Sequence, residues 1–435
     1  MVRKCVVFLG VFGAILMRVA TPIDVFAGGY MIPHQTARGL GLSNAMTAGV
    51  NDASAVYYNP AALSAINGDN ILTSGTYINV VNSVENSGRK SRNNHDDNFL
   101  ASLFANYHVP GSDFTFGIGT YAPFGLATEY DSDAFTRFAA IDTKLKTLYV
   151  TPALSWSPSN YFSLGVGLSF VHASGVFSRA LCLDPISGCT QPLGLEGKVR
   201  ISDTADAFAY NLGVLVKPTD NLKFGFSYRS RVDLRFDNAT AKFAGSFSAS
   251  TVEASVSPLP LPPVINVGLF WQITPSGGAE VVYEYTRWSE FKNFTATFSP
   301  ATIFLPLGAP IPGFKLPQDW RNTSTVRLGG YYALNQNWEL RGGMALEQAP
   351  IPNKTLNPAI PDADKLTLNA GVGYKWEKFS VDLGYMAVFY KTRKVTNDEL
   401  EGLPATAPLF YAGAPGKDKY ETFNNLVTIS IGYRF

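Results

Sequence analysis

LKFGFSYRS at residues 222–230 and LVTISIGYRF at residues 426–435 both change character at every second residue. In the first, Leu222, Phe224, Phe226 and Tyr228 share one face, and Lys223, Gly225, Ser227 and Arg229 share the other. In the second, Val427, Ile429, Ile431, Tyr433 and Phe435 oppose Thr428, Ser430, Gly432 and Arg434. A two-residue period with one oily face is the signature of a β-strand lying between unlike environments. Read outward from these stretches, the same period predicts fourteen strands, at 71–81, 98–108, 112–121, 143–157, 160–174, 200–217, 221–236, 264–274, 277–292, 321–334, 337–348, 364–376, 378–394 and 424–435.

The connections between these strands alternate in length. Short turns such as Val109-Pro110-Gly111, Pro158-Ser159 and Asn335-Gln336 interleave with long loops at 82–97, 122–142, 175–199, 237–263, 293–320, 349–363 and 395–423. An even number of antiparallel strands with loops sorted by length between two ends is the pattern of an outer-membrane β-barrel. A water-soluble sandwich has no reason to sort its loops in this way. In hydrocarbon every backbone N–H and C=O must pair internally, so an extended chain crosses only as a closed barrel. Trp156, Trp271, Trp338 and Trp376 fall near short turns, where an interfacial girdle belongs, and Trp288 and Trp320 fall at long-loop ends, where the opposite girdle is expected.

Composition agrees. The 435 residues are 46% hydrophobic and 13% aromatic but only 16% charged, against about 25% charged in an average soluble domain. Beyond the N-terminus, Gly, Ser, Thr, Asn or a charge interrupts every apolar stretch, so no run of about 18 residues is available for a membrane helix. Arg3 and Lys4 precede an apolar run from Cys5 to Met17, and Val25-Phe26-Ala27 ends in a small-residue site, so residues 1–27 read as a secretory signal cleaved after Ala27. Loss of Arg3, Lys4, Arg18 and Asp24 turns the net charge from +1 to −1, and no basic stripe for nucleic acid remains. The two cysteines outside the signal, Cys182 and Cys189, read as a local disulfide in an exported chain; the rival, a metal pair, lacks nearby His or acidic ligands.

Residues 28–70 do not alternate. They are rich in Gly, Ala, Ser and Asn, with short helices expected around 43–48 and 60–66. Fourteen strands enclose more space than eight, whose lumen side chains can fill, so this compact segment is expected to plug a barrel spanning 71–435. The inward positions at Gly165, Gly167, Gly213, Gly225, Gly329, Gly371, Gly373 and Gly432 leave room for it. Asn59 suits a helix cap, with Pro60 at the first helical position.

Taken together these stretches resemble the FadL/TodX (OMPP1) family of outer-membrane transporters for hydrophobic compounds. The likeness is carried by Gly39-Leu40-Gly41, by Asn59-Pro60-Ala61, by YAPFGLATEY (121–130), by the Pro-rich 258–263, by YTRWSEF (285–291), by DWRNTSTVRLGGYYALNQNWELRGG (319–343), by IPDADKLTLNAGVGY (360–374) and by the terminal Phe435. The resemblance implies passive uptake of long-chain fatty acids or aromatic hydrocarbons by a fourteen-stranded barrel with an N-terminal hatch. Ligand moves the hatch N-terminus and leaves sideways at a kinked third strand. Aligned on Gly39-Leu40-Gly41, Tyr30 takes the place of a pocket-lining aromatic residue, and Gly117, Gly119 and Pro123 fall on the strand of lateral exit. It further implies an outer-membrane location in a Gram-negative bacterium with both termini periplasmic, a monomer, and contact with membrane lipid.

Ligand contacts follow from apolar surface and lumen charge. The loops ATIFLPLGAPIPGFKLP (301–317) and LPATAPLFYAGAP (403–415) are oily for segments facing water, which makes Phe304, Leu305 and Phe314 candidates for a capture groove. Alternation turns Arg229, Arg231, Arg327 and Arg341 inward, along with Glu280, Glu284 and Glu339. An inward Arg can hold a carboxylate bidentately; the competing reading is an ion-pair network that holds the plug. An aqueous porin shares the barrel but needs no plug. A lipid hydrolase needs a nucleophile and base, and His34, His95, His108 and His172 form no Ser/His motif, nor is there a GxSxG, HExxH or Walker loop. No enzyme activity, cofactor or metal is expected.

Overall fold

A computed structural model describes residues 29–86, 88–94, 97–182, 196–245, 247, 251–304, 309–395 and 418–435. The signal segment, Cys189, Leu305 and loop 396–417 lie outside the described residues, as do the side chains of Cys182 and Phe304, so the disulfide lies outside them too.

Fourteen strands form the wall. They are β1 (Asn70–Asn86), β2 (Asp97–His108), β3 (Phe114–Tyr121, resuming at Gly125–Glu129), β4 (Asp142–Ser159), β5 (Phe162–Cys182), β6 (Glu196–Thr219) and β7 (Leu222–Arg229, resuming at Val232–Gly245), followed by β8 (Val264–Thr274), β9 (Gly277–Thr286), β10 (Thr323–Ala333), β11 (Trp338–Glu347), β12 (Lys365–Trp376), β13 (Phe379–Tyr390) and β14 (Lys419–Arg434). Every neighbouring pair is antiparallel, and β1 closes on β14 from Asn70↔Arg434 to Glu85↔Lys419. Closure leaves no edge for hydrocarbon to strip of partners. The outward series keeps the sequence period: Phe224 and Phe226, Val267 and Leu269, Leu383 and Tyr385, Ile429 and Ile431 are all exposed to the surroundings of the barrel. Trp156, Trp338 and Trp376 are exposed at the short-turn end.

The fourteen expected strands are present, and the departures lie at the long-loop end. β5 continues to Cys182 rather than stopping at 174, and the strand expected to reach 292 stops at Thr286, followed by a 3-10 turn at Trp288–Glu290. Several stretches read as loop are strands: Arg89–Arg92 pairs with β1 and Gly125–Glu129 with β4, and Thr251–Leu261, Asn293–Phe304 and Ala309–Pro317 pair into a sheet with the outer part of β7. Two of these do alternate, with Val252, Ala254 and Val256 in one and Phe294, Ala296 and Phe298 in the other buried between polar neighbours, but they lie between the long-loop ends of the expected strands and so read as connections. Trp288 and Trp320 are not an outer girdle: each is 1% exposed, turned into the interior.

Residues 29–66 lie inside the barrel, against the inward faces of the strands. A helix at Ala37–Gly41 is capped by Thr36, whose side chain accepts from Gly39 N at 3.0 Å. A second turn spans Ala55–Tyr58, and a 3-10 helix spans Pro60–Ala65. Asn59 Oδ1 accepts from Ala61 N at 3.1 Å while Asn59 Nδ2 donates to Thr47 O at 2.7 Å, so one side chain caps the 3-10 helix and ties two parts of the segment. The helix expected at 43–48 does not form, because Ser43 and Asn44 take positive φ values of 55° and 59°. Wall glycines admit the segment closely: a Cβ at Gly165, Gly225 or Gly329 would collide with the backbone of Ala61, Thr47 or Leu42.

Candidate functional site

Two features of the interior lie together: an interruption in the wall and an apolar chamber beside it. The β2–β3 ladder runs from His108↔Thr115 to Leu103↔Thr120 and then stops. Past the break, Gly125–Glu129 pairs with β4 alone, from Gly125↔Lys146 to Glu129↔Asp142, while residues 97–102 of β2 pair only with β1. The interruption therefore falls at Ala122-Pro123-Phe124, and Pro123 brings no N–H to continue a ladder. Gly117 and Gly119 lie just before it, on the paired part of the strand. Their lack of a side chain accommodates Val56 of the inner segment, which a Cβ at Gly117 would meet at 2.6 Å.

The N-terminal end of the inner segment runs along this break. Met31 bridges Phe124, Ile32 N donates to Pro123 O at 2.7 Å, and Gly125 N donates to Tyr30 O at 2.9 Å. Gly29, with φ at 75°, sits flat against Trp288 and Trp320 and donates its N–H to Asp362 Oδ2 at 2.9 Å. Burial pushes the Asp362 carboxyl above its ordinary range, an effect that Lys365 and the Gly29 N–H bond reduce.

Tyr30 is 2% exposed and ringed by aromatic side chains: Trp288 at 4.8 Å between centroids, Trp320 at 5.5 Å, Phe124 at 6.3 Å and Phe291 at 6.4 Å. Its hydroxyl donates to Pro260 O at 2.5 Å. Beyond this ring opens a chamber lined by Tyr30, Leu145, Phe177, Phe294, Phe314 and Arg179 among others. Arg179 is the one charged side chain among the described lining residues. It donates to Phe138 O and places its guanidinium 5.6 Å from the centre of the Phe314 ring. Such a space, mostly apolar with a few polar side chains (Thr143, Ser178, Gln318 and Asn357) beside the one charged group, has the character of a site for a small hydrophobic ligand.

Of the expected site residues, Tyr30 and Phe314 meet in this chamber, and Pro123 lies at the break beside it. Arg229, Arg327 and Arg341 do not line it. Arg327 bonds Glu284 at 3.0 Å and Glu347 at 2.9 Å, Arg341 bonds Glu339 and Asp382 at 2.6 Å each, and Glu339 also pairs with Arg38 of the inner segment. Arg229 donates to Tyr57 O at 3.0 Å and stacks 4.1 Å over the Tyr57 ring. Arg231 pairs with Asp233 at 2.7 Å and with Glu290. Arg327, Arg341 and Arg231 are thus paired with carboxylates, and Arg229 is engaged by Tyr57 of the inner segment. Arg179, Phe124, Trp288 and Trp320 were not among the expected site residues. Carrying the two-residue period of β5 past 174 would have turned Arg179 inward, and Phe124 and Trp288 stand within YAPFGLATEY and YTRWSEF.

A fourteen-stranded barrel holding its own N-terminal segment, with an oily chamber at one end, is an outer-membrane channel for hydrophobic compounds. The chain belongs to the outer membrane protein transport protein family (OMPP1/FadL/TodX), whose model matches residues 19–435. It is 26% identical over 434 residues to outer membrane protein P1 of Haemophilus influenzae, covering 88% of this chain and 91% of the relative. It is 22% identical over 399 residues to the long-chain fatty acid transport protein of Escherichia coli K12, covering 83% and 87%. Among solved structures, a FadL homologue from Pseudomonas aeruginosa superposes with a TM-score of 0.78 at 22% identity, over 94% of this chain and all of the other. The toluene transporter TodX of P. putida does so with 0.69 at 17% identity, over 91% and 98%.

Proposed function

We propose that the protein takes up hydrophobic molecules bearing a carboxylate, long-chain fatty acids above all, by passive diffusion. Ligand enters the chamber from the long-loop end, displaces residues 29–35 and leaves sideways between β2 and β3 into the bilayer. In this reading residues 28–70 are the hatch, the short-turn end and both termini face the periplasm, and the channel works as a monomer. The observation that carries the choice of ligand is Arg179, a buried guanidinium in a chamber whose other described lining residues are uncharged. An aliphatic tail suits the chamber and a carboxylate suits the cation.

The four phenylalanines of the lining, Phe177, Phe291, Phe294 and Phe314, favour a second reading, uptake of monoaromatic hydrocarbons such as those carried by the toluene transporter named above. Uptake of oleate and of toluene by cells expressing the full chain or its Arg179→Leu variant separates the two. Losing a charge-assisted hydrogen bond should lower the oleate rate at sub-saturating concentration about tenfold and leave toluene unchanged. Robust toluene uptake with negligible oleate uptake by the unmodified protein would establish the second reading instead. Large, steady ion conductance in planar bilayers would favour an aqueous porin over both.

A further inference from the structure

Where the β2–β3 ladder stops, the two strands are still joined, but by a side chain. Gln35 of the inner segment is 1% exposed. Its Oε1 accepts from Ala122 N at 3.3 Å and its Nε2 donates to Ala122 O at 3.2 Å, while the same Nε2 donates to Ile32 O at 2.7 Å. On its other side the Gln35 backbone carbonyl accepts from Ser102 Oγ on β2 at 2.6 Å. One residue thus spans from Ser102 to Ala122, across the two strands that have ceased to pair.

We propose that Gln35 is the latch of this break, its carboxamide replacing the missing rung of the ladder and setting how readily the wall opens. The inference rests on the reading of the break as the exit. In an antiparallel ladder, facing residues exchange an N–H···O bond in each direction, and Gln35 makes that same exchange with Ala122. Only a carboxamide offers a donor and an acceptor side by side; a carboxylate has no donor and an aliphatic chain has neither. The rung is detachable because it belongs to neither strand. It stands at the boundary between two kinds of attachment. The next residues are held to the wall, with Ala37 N donating to Ser430 Oγ at 2.8 Å and Arg38 paired with Glu339. The preceding ones lie along the break and against the chamber. A ligand that draws Tyr30 out of its aromatic ring pulls directly on Gln35 through the short chain between them. Withdrawal of Gln35 frees Ala122 and Ser102 together; the bonds lost with it, Ile32 N to Pro123 O and Gly125 N to Tyr30 O included, join the tip to the wall, and the β2–β3 ladder up to Leu103↔Thr120 is left intact.

The test uses the full-length channel. Gln35→Leu removes the side-chain bonds and keeps the bulk, with Gln35→Met as a second apolar variant; correct assembly is read from heat-modifiable gel mobility. Loss of the two bonds to Ala122 should raise the exchange rate of the Ala122 amide about tenfold and raise oleate uptake at sub-saturating concentration by a similar factor, while uptake at saturation stays unchanged. Unchanged exchange together with an unchanged or slower uptake rate in both variants overturns the latch. In a separate arm, Ser102→Cys and Ala122→Cys are bridged by a short bis-alkylating reagent. If the bridged channel still delivers oleate at the normal rate, the sideways exit itself fails and the latch with it. If bridging blocks uptake while Gln35→Leu behaves as the unmodified protein, only the latch fails.

Discussion

The two ends of the inner segment are held in different ways. From Ala37 onward it is tied to the wall by charge and by dense polar contact. Glu280 of β9 accepts from three consecutive backbone N–H groups, Thr47 at 2.8 Å, Ala48 at 2.6 Å and Gly49 at 2.8 Å. Asn211 Nδ2 donates to Val56 O at 2.8 Å, Asn369 Nδ2 donates to Leu40 O at 2.6 Å, and Ser155 Oγ donates to Ala61 O at 3.0 Å. Residues 29–35 instead lie among aromatic rings and along the interrupted strand, and their hydrogen bonds outside the segment run separately to Asp362, Pro260, Pro123, Gly125, Ala122 and Ser102. Apolar contact is non-directional, so an oily ligand can replace the rings that surround Tyr30. It cannot replace a buried carboxylate satisfied by three N–H groups. The difference teaches where movement is cheaper: the tip can exchange its ring contacts for those of a ligand and gives up separate hydrogen bonds, while the base stays in place.

The comparison breaks most severely if the base is cut loose. Glu280→Ala leaves three buried N–H groups without their acceptor, and desolvated, unpaired groups cost about 1–3 kcal/mol each. The expected outcome is a loss of roughly 3–5 kcal/mol in resistance to denaturant, together with ion leakage through a lumen no longer filled, read as conductance in planar bilayers. A channel that stays silent and equally stable would mean that the base is held by its fit among the wall glycines rather than by this carboxylate.

The wall itself was legible, and its two interruptions show why some of the rest was not. Alternation in LKFGFSYRS or LVTISIGYRF is imposed by lipid on one side and lumen on the other, so every membrane-crossing strand announced itself. β7 leaves β6 at Ser230, whose N–H donates to Tyr210 O at 2.9 Å and whose Oγ accepts from Tyr210 N at 2.9 Å. The ladder resumes only at Thr240↔Ser202. Between, Val232, Leu234 and Phe236 are buried in the interior, and the outer part of β7 pairs with Thr251–Leu261. That break is covered by continuous chain, whereas the one at Ala122-Pro123-Phe124 is covered by a segment eighty-odd positions away in sequence, and no local pattern encodes such a partnership. The inward arginines were legible as inward, but their partners were not. Alternation gives the face of Arg327 and Arg341 and says nothing of which carboxylates stand opposite. Trp288 and Trp320 were misplaced for a related reason: nearness to a loop end fixes height along the barrel, not direction.

A subtler probe sharpens the tip. Tyr30→Phe keeps the ring among Trp288, Trp320 and Phe291 and removes only the hydroxyl bond to Pro260 O. Deleting that bond weakens the seated tip by about 1 kcal/mol, so uptake of oleate at sub-saturating concentration should rise about fivefold with barrel stability unchanged. Tyr30→Ala would also empty the ring's place in the cluster, at about 3 kcal/mol or more, and should leave the tip unseated even without ligand. If the two variants transport alike, the hydroxyl contributes as much as the ring and the tip is held by polarity after all.

The smallest effect tests whether the outer rim shares in either kind of attachment. Asp418, where β14 begins, accepts from Asn86 Nδ2 at 3.0 Å and from the Tyr420 hydroxyl at 3.2 Å, yet burial pushes its carboxyl from 3.8 up to about 7. A carboxyl whose folded value lies above its unfolded one stabilises the fold fully at acid pH and loses that contribution as pH rises through the folded value. Stability should therefore fall as pH rises from about 4 to about 7, the interval between the unfolded and folded values, and level off above it, with a shift of a few °C in unfolding midpoint. Asp418→Asn, which is neutral throughout and retains an acceptor, should flatten the profile. A variant that keeps the same slope would assign the titration to another group. A slope that also appears in the conductance would mean that the rim and the seating of the inner segment are coupled, which the separate attachment of base and tip does not require.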